Sequence, residues 1–331
     1  QRPMTVRDLL RQTCGLGYGW GSDPVSQQYQ AVNLFDPDTT LAQMVEKLSD
    51  LPLYYQPGQE WGYSVAIDVL GRLVEVWSGQ TLDVFMKERL FGPLGMVDTG
   101  FSVPQEKLGR FTKVYNYTAN EGLTPLSQEA AYDRYAPGGN RLFSGGGGLV
   151  STASDYLRFA QMLANGGSLE GTRILSPKTV TLMRTDALPE GISLPWGKLR
   201  GHGYGFAMSV QTDNAKSPSL GSVGDYGWDG AASTYFRVDP KEDLVILLMT
   251  HRMPCDDEIQ IKVINDGRGL DPSFDLNGAT GLGLSIVRTL VTTELNGSIS
   301  IRAGAPEDFN AVGIEAHRRG DGTVVDLRLP R

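Results

Sequence analysis

Apolar positions in the first half of the chain recur at helical spacing. Leu41, Met44, Val45 and Leu48 fall on one face of a helix, and Ile67, Leu70, Val74 and Trp77 on one face of another. Gly79 ends the second, because glycine readily takes the left-handed conformation that closes a helix. Thr5, with Asp8 three residues on, predicts a capping box for a short first helix ending near Gly15. Thr81 starts a helix through Phe85 and Leu90, and residues 152–163 form a further amphipathic one. Ser176 followed by Pro177 reads as a helix cap with proline at the first helical position. From Gly92 to Gly148, glycine and proline are frequent and no period emerges.

Beyond Gly203 the period moves toward two. Residues 206–210, 234–238 and 244–249 read as strands, the last two joined by a hairpin loop at 239–243. Helices followed by antiparallel strands predict an α+β architecture. Past residues 251–257 the texture changes again. Ile259, Ile261 and Val263 alternate as a strand, residues 281–295 form a helix with Leu284, Val287, Val291 and Leu295 on one face, and residues 298–301 and 324–329 are strands. The expected division is therefore 1–253 and 257–331.

Composition narrows the class. Of 331 residues, 40% are hydrophobic and 21% charged, which predicts a packed core rather than disorder. A net charge of −8 argues against nucleic acid or an anionic membrane surface as partner. The longest apolar run, residues 244–249, falls far short of a membrane span. The sequence opens at Gln1 with neither Met nor a signal peptide, which reads as a removed segment or a start within a longer gene product; the location is open, with the cytoplasm favoured. Cys14 and Cys255 lack metal-ligand spacing and read as two buried free thiols, a single disulfide being the alternative. His202, His251 and His317 also lack metal spacing and read as structural; no metal or cofactor is expected.

Five segments carry a family signature. They are Thr5-Val-Arg-Asp-Leu-Leu-Arg-Gln-Thr-Cys-Gly-Leu, Tyr63-Ser64 before a helix, Pro93-Leu-Gly-Met-Val-Asp-Thr-Gly-Phe, Gly145-Gly-Gly-Gly-Leu-Val-Ser-Thr-Ala-Ser-Asp and Gly227-Trp-Asp-Gly-Ala. In this order they resemble the family VIII carboxylesterases, relatives of class C β-lactamases and penicillin-binding proteins. The resemblance implies an antiparallel sheet with helices, here truncated at its N-terminal side. In that family a Ser attacks an ester or lactam carbonyl, and a Lys and a Tyr share the base role. A phenol can do so only where cations or desolvation draw its pKa toward neutrality.

By this resemblance Tyr63 is the base and Ser64 the substitute nucleophile, because the sequence contains no Ser-x-x-Lys or Thr-x-x-Lys. Competing readings are Tyr63 as a core phenol, and Ser64 as the cap of the next helix or as part of a loose Gly-x-Ser-x-Ala motif. Trp228, Asp229, Gly230 and Ala231 would line the cleft on an edge strand, with a backbone N–H near Ala231 as an oxyanion donor. Asp229 stands where a glycine is usual and places a negative charge near the carbonyl. The glycines 145–148 read as a tight backbone passage rather than a phosphate loop.

Asn265-Asp-Gly-Arg-Gly-Leu and Gly281-Leu-Gly-Leu-Ser-Ile-Val-Arg are similar to the two glycine boxes of sensor histidine kinase ATPase domains. That resemblance implies Asn265, Gly267, Gly269, Gly281 and Gly283 as nucleotide-contacting positions. Nucleotide binding is nevertheless not expected: Asn265 replaces the adenine-reading Asp, and the Mg²⁺-binding helix does not precede Ile259. By element counting, the kinase-like fragment is expected to complete the truncated sheet. The leading function is weak serine-type hydrolysis of small carboxylic esters. The alternative is a non-catalytic binding or remnant fusion protein, and the last option an ATP-binding signalling module.

Overall fold

The computed structural model describes residues 2–118, 122–126, 134–253, 258–265, 298–303 and 323–330. The chain divides into two compact units, Gln1–Ser217 with Gly221–Cys255, and Asp256–Arg331 with Pro218–Leu220.

The first unit begins with α1 (Val6–Leu10), capped as the sequence predicts: the Asp8 N–H donates to Thr5 Oγ1 at 3.2 Å and the Thr5 N–H to Asp8 Oδ2 at 2.9 Å. Burial works against the Asp8 carboxylate, but hydrogen bonds from Arg2, Thr5 and Arg11 outweigh it and hold its pKa well below the usual carboxylate range. Helix α2 (Pro24–Ala31) was not legible from periodicity, because it is mostly polar and buries only Ser26 and Tyr29. Its signal is local: Asp23 caps two N–H groups at 3.0 Å and Pro24 occupies the first helical position.

Helices α3 (Leu41–Ser49) and α4 (Ala66–Ser78) form where expected, and Gly79 closes α4 at φ 71°. Leu9, Leu41, Met44, Leu48 and Ala66 share one core. The stripe that α4 turns inward runs through Ala66, Val69, Leu70 and Leu73. Its last turn projects past that core, so Trp77, expected on the apolar face, is 67% exposed. Helix α5 (Leu82–Met86) continues as a wider π-turn over Lys87–Phe91.

Two short antiparallel ribbons follow: β1 (Tyr115–Thr118) with β2 (Gly122–Pro125), and β3 (Ser168–Leu169) with β4 (Thr172–Arg173). Helix α6 (Ala153–Ala164) lies between them in sequence, and α7 (Pro177–Met183) follows with Ser176 as its cap.

The main sheet is five-stranded and antiparallel. It comprises β5 (His202–Tyr204), β6 (Ser209–Gln211), β7 (Tyr226–Asp229), β8 (Tyr235–Asp239) and β9 (Leu244–Leu248), in that spatial order. The strand expected over 206–210 begins later, because Gly205 donates to Met208 O and Ala207 sits at φ 60°, making a turn between β5 and β6. The strand carrying Trp228 is third of five, not an edge. Its pairing with β6 covers only Tyr226 and Gly227, however, whereas Trp228 and Asp229 pair only with β8. Helix α6 packs on β8 and β9, burying Met162, Leu163, Val210, Tyr226, Phe236 and Val238 in a second core.

In the second unit, β10 (Glu258–Asn265), β11 (Ser298–Ala303) and β12 (Thr323–Pro330) form an antiparallel sheet with β12 central. These are the three strands expected there; the expected helix at 281–295 lies outside the described residues. Among the described residues no helix is long and apolar enough to cross a membrane.

Candidate active site

The segment before α4 is laced to the turn after α1. Gly62 N–H donates to Gln12 O at 3.0 Å, Gly58 N–H to Thr13 O at 2.7 Å and Tyr54 N–H to Gly15 O at 2.8 Å. Gly15 allows this approach: its φ is +86°, and a Cβ there would lie 2.2 Å from Tyr55 O. The lacing sets the half-buried Tyr63 beside the sheet. Its ring centre lies 5.3 Å from that of Tyr18, 5.5 Å from Trp228 and 5.7 Å from Trp196. Trp228 Nε1 donates to the Tyr63 hydroxyl over a long 3.4 Å. The structure thus brings together two candidate segments that are 165 residues apart in sequence.

Ser64 points elsewhere. Its side chain is fully buried, its hydroxyl donates to Gln12 Oε1 at 2.6 Å, and it accepts from the Ala66 N–H at 3.2 Å. Cys14 Sγ sits 3.7 Å away. A hydroxyl with its proton committed and no solvent access is not placed to attack an ester, so Ser64 acts as a tie at the start of α4. The neighbouring Cys14 is a free, buried thiol whose pKa burial pushes up; Cys255 lies outside the described residues.

Asp229 is not a lone negative charge. Lys198, which sequence reasoning missed, pairs with its Oδ2 at 3.0 Å and also lies 5.9 Å from the Trp196 ring centre. Gly230 and Ala231 fall in the tight connection from β7 to β8, where Gly230 N–H donates to Thr234 O and Ser233 N–H to Gly230 O. Among the described residues the Ala231 N–H has no hydrogen-bond partner, and Ala231 is exposed.

Beneath this cleft Asp68 is fully buried near the start of α4. Its Oδ1 accepts from Ser144 Oγ and from the Gly146 N–H, while Oδ2 has no partner. Burial raises its pKa. The Tyr18 hydroxyl is likewise pushed well up, first by burial and then by Tyr63 and Asp68. The glycine run is a tight passage: a Cβ on Gly145 would lie 2.6 Å from Ile67 O, and one on Gly148 would lie 2.8 Å from Ser144 O.

His202 is buried, with Nδ1 against Arg200 O and Nε2 against Arg237. His251 serves through its carbonyl, which accepts from Tyr115 N–H at 2.6 Å. Neither enters the cleft, and His317 lies outside the described residues. Among the described residues no cluster of His, Cys, Asp or Glu suits a metal. Asn265 ends β10 opposite Thr323; Gly267, Gly269, Gly281 and Gly283 lie outside the described residues.

The residues that sequence reasoning missed are Gln12, Tyr18, Trp20, Trp61, Trp196 and Lys198. One signal was present for the tryptophans. Trp20, Trp61, Trp196 and Trp228 each adjoin a glycine outside any helical period, and all four gather around Tyr63, whereas Trp77 sits in a periodic segment and does not.

Residues 1–266 match the Beta-lactamase family model, and residues 235–331 match that of histidine kinase-, DNA gyrase B-, and HSP90-like ATPases. Protein Rv1367c of Mycobacterium tuberculosis is 38% identical over 77% of this chain and 64% of its own length. Esterase EstB of Burkholderia gladioli is 31% identical over 75% of this chain and 64% of its own. The chain thus spans about 64% of the length of these relatives. The structure of EstCE1, a hydrolase with promiscuous acyltransferase activity, aligns at TM-score 0.62 and 28% identity over 76% of this chain and 68% of that one. Simvastatin synthase from Aspergillus terreus shares the fold at TM-score 0.63 and 23% identity, over 77% of this chain and 65% of that one. With a family model covering most of its length and both motif segments meeting at Tyr63, this chain belongs to the Beta-lactamase family.

Proposed function

We propose that the cleft at Tyr63 binds small carboxylic esters and hydrolyses them slowly. The observation that carries this is the contact of Trp228 Nε1 with the Tyr63 hydroxyl, which joins the tyrosine motif to the strand end bearing Ala231. The Tyr63 oxygen accepts a hydrogen bond from a water and orients it, the water oxygen bonds to the ester carbonyl carbon, and the released proton passes to solvent. The Ala231 N–H donates to the carbonyl oxygen as it becomes negative. Collapse of the intermediate breaks the bond to the alkoxide, which leaves and takes a proton from solvent. The reaction is slow because the Ser64 hydroxyl is sealed against Gln12, which leaves water as the attacking group. The likeness to an esterase and to a hydrolase with acyltransferase activity supports this reading.

The test is hydrolysis of p-nitrophenyl acetate by the parent and by Tyr63→Phe. Saturable turnover that falls roughly tenfold to a hundredfold or more in the variant is the expected result. The sealed Ser64 favours a second reading, ligand binding without turnover. Absence of saturable turnover in the parent selects that one, whereas turnover indifferent to Tyr63→Phe removes Tyr63 from the reaction.

A further inference from the structure

The proposed ester cleft has an unusual wall. Trp20 lies almost parallel to Tyr18, with ring centres 4.6 Å apart and planes at 9°, yet Trp20 is 73% exposed. One face of the indole is therefore covered by Tyr18 while the other meets water. Tyr63 is 6.1 Å from Trp20, and Trp61, Trp196 and Trp228 continue the ring surface inward. Exposing so large a flat apolar face costs hydration free energy that a stacked ligand would recover.

Charge selects among ligands that favour aromatic walls. A cage of rings also attracts quaternary ammonium groups. Here the Lys198 ammonium already lies 5.9 Å from the Trp196 ring centre, and its ion pair with Asp229 leaves that rim neutral. The cation position at the Trp196 ring is thus already taken by an ammonium, and a neutral ring does not compete for it. The polar handles nearby are the Tyr63 hydroxyl and the Trp228 N–H, which suit the oxygen of an ester or alcohol attached to that ring.

We infer that the site selects neutral ligands bearing a planar aromatic group, which stacks on the open face of Trp20 with its ester or hydroxyl oxygen toward Tyr63. This rests on the ester-cleft reading for its chemistry, but stacking is read by binding alone.

The experiment is calorimetric titration of the full chain with 2-naphthol, with decahydro-2-naphthol of similar outline, and with choline. The expected result is saturable binding of 2-naphthol, roughly three- to tenfold tighter than its saturated counterpart. Trp20→Ala should abolish that preference and Trp20→Phe should retain it; Trp20 is mostly exposed, so neither change disturbs a core. Equal affinity for the two alcohols, tighter binding of choline, or a preference surviving in Trp20→Ala would overturn the inference. Hydrolysis of 2-naphthyl acetate is measured in parallel. Ring preference without hydrolysis upholds the inference and defeats the hydrolase reading; hydrolysis without ring preference does the reverse.

Discussion

The Ser64 hydroxyl donates a 2.6 Å hydrogen bond to Gln12 Oε1, and neither residue reaches solvent. The tie crosses 52 residues of sequence and joins the start of α4 to the turn after α1. Gln12 holds φ at 59°, an uncommon conformation for a residue with a side chain, and its Nε2 contacts Ser64 O at 3.4 Å.

Ser64→Ala should therefore act on stability. It leaves a buried amide oxygen without its donor, at a cost of about 1–3 kcal/mol. Denaturant melts should show that loss, while a serine-directed phosphonate, followed by mass spectrometry, should leave Ser64 unlabelled in the parent. Labelling at Ser64 would mean that the tie opens in solution and that the serine is a nucleophile after all.

Gly145→Ala addresses the passage beneath the cleft. The added Cβ would lie 2.6 Å from Ile67 O, in the first turn of α4. Overpacking of this kind costs about 1–3 kcal/mol. The shift should appear in thermal melts, together with weaker binding at the cleft, since the same turn of α4 follows Tyr63 directly. An unchanged melting temperature would mean that the glycine run is looser than this close approach implies.

Elements set by neighbours in sequence were legible. The Thr5–Asp8 box, the glycine closing α4 and the cap at Ser176 each act within one helical turn, so their residue types announce them. The candidate site was legible only where a family motif marked it. Tyr63 and Trp228 do meet, but the fate of Ser64 depends on Gln12, and that of Asp229 on Lys198, 31 residues away. Such pairings follow from tertiary packing and leave no period in the sequence. The turn between β5 and β6 was missed for a related reason: Ala207 adopts a conformation that its residue type does not advertise.

Asp225 gives a pH dependence of defined sign. It is buried 3.7 Å from Arg237, and burial pushes its pKa up to about 6, Arg237 opposing and Asp239 reinforcing. In the unfolded chain the value is about 3.9. Between about pH 4 and about pH 6 the native state thus holds a proton that the unfolded state has released, and stability falls as pH rises, by on the order of 1–3 kcal/mol. His202, beside Arg237 and lowered by burial, runs the opposite way, with stability rising as pH rises. The readout is therefore the parent minus Asp225→Asn in denaturant melts across that window. The difference should fall with rising pH; a flat difference would show that Asp225 ionises as freely in the folded chain as in the unfolded one.

Lys198 and Asp229 make the last test. Each is about one-quarter exposed, so the pair adds little to stability, about 0–1 kcal/mol. Its consequence lies in charge at the cleft. Asp229 immediately precedes Gly230 and Ala231, where the ester carbonyl is proposed to gain negative charge. Lys198→Ala exposes that position to an unpaired carboxylate. Ester turnover should fall roughly three- to tenfold, mostly in kcat, with the deficit shrinking at high salt. Asp229→Gly introduced alongside should restore it, because the repelling charge is gone. The same logic can be read without turnover. In Lys198→Ala, 2-naphthoate should weaken relative to 2-naphthol, and the added Asp229→Gly should reverse that. Failure of the double variant to recover on both readouts would mean that Lys198 acts through its contact with Trp196 rather than by neutralising Asp229.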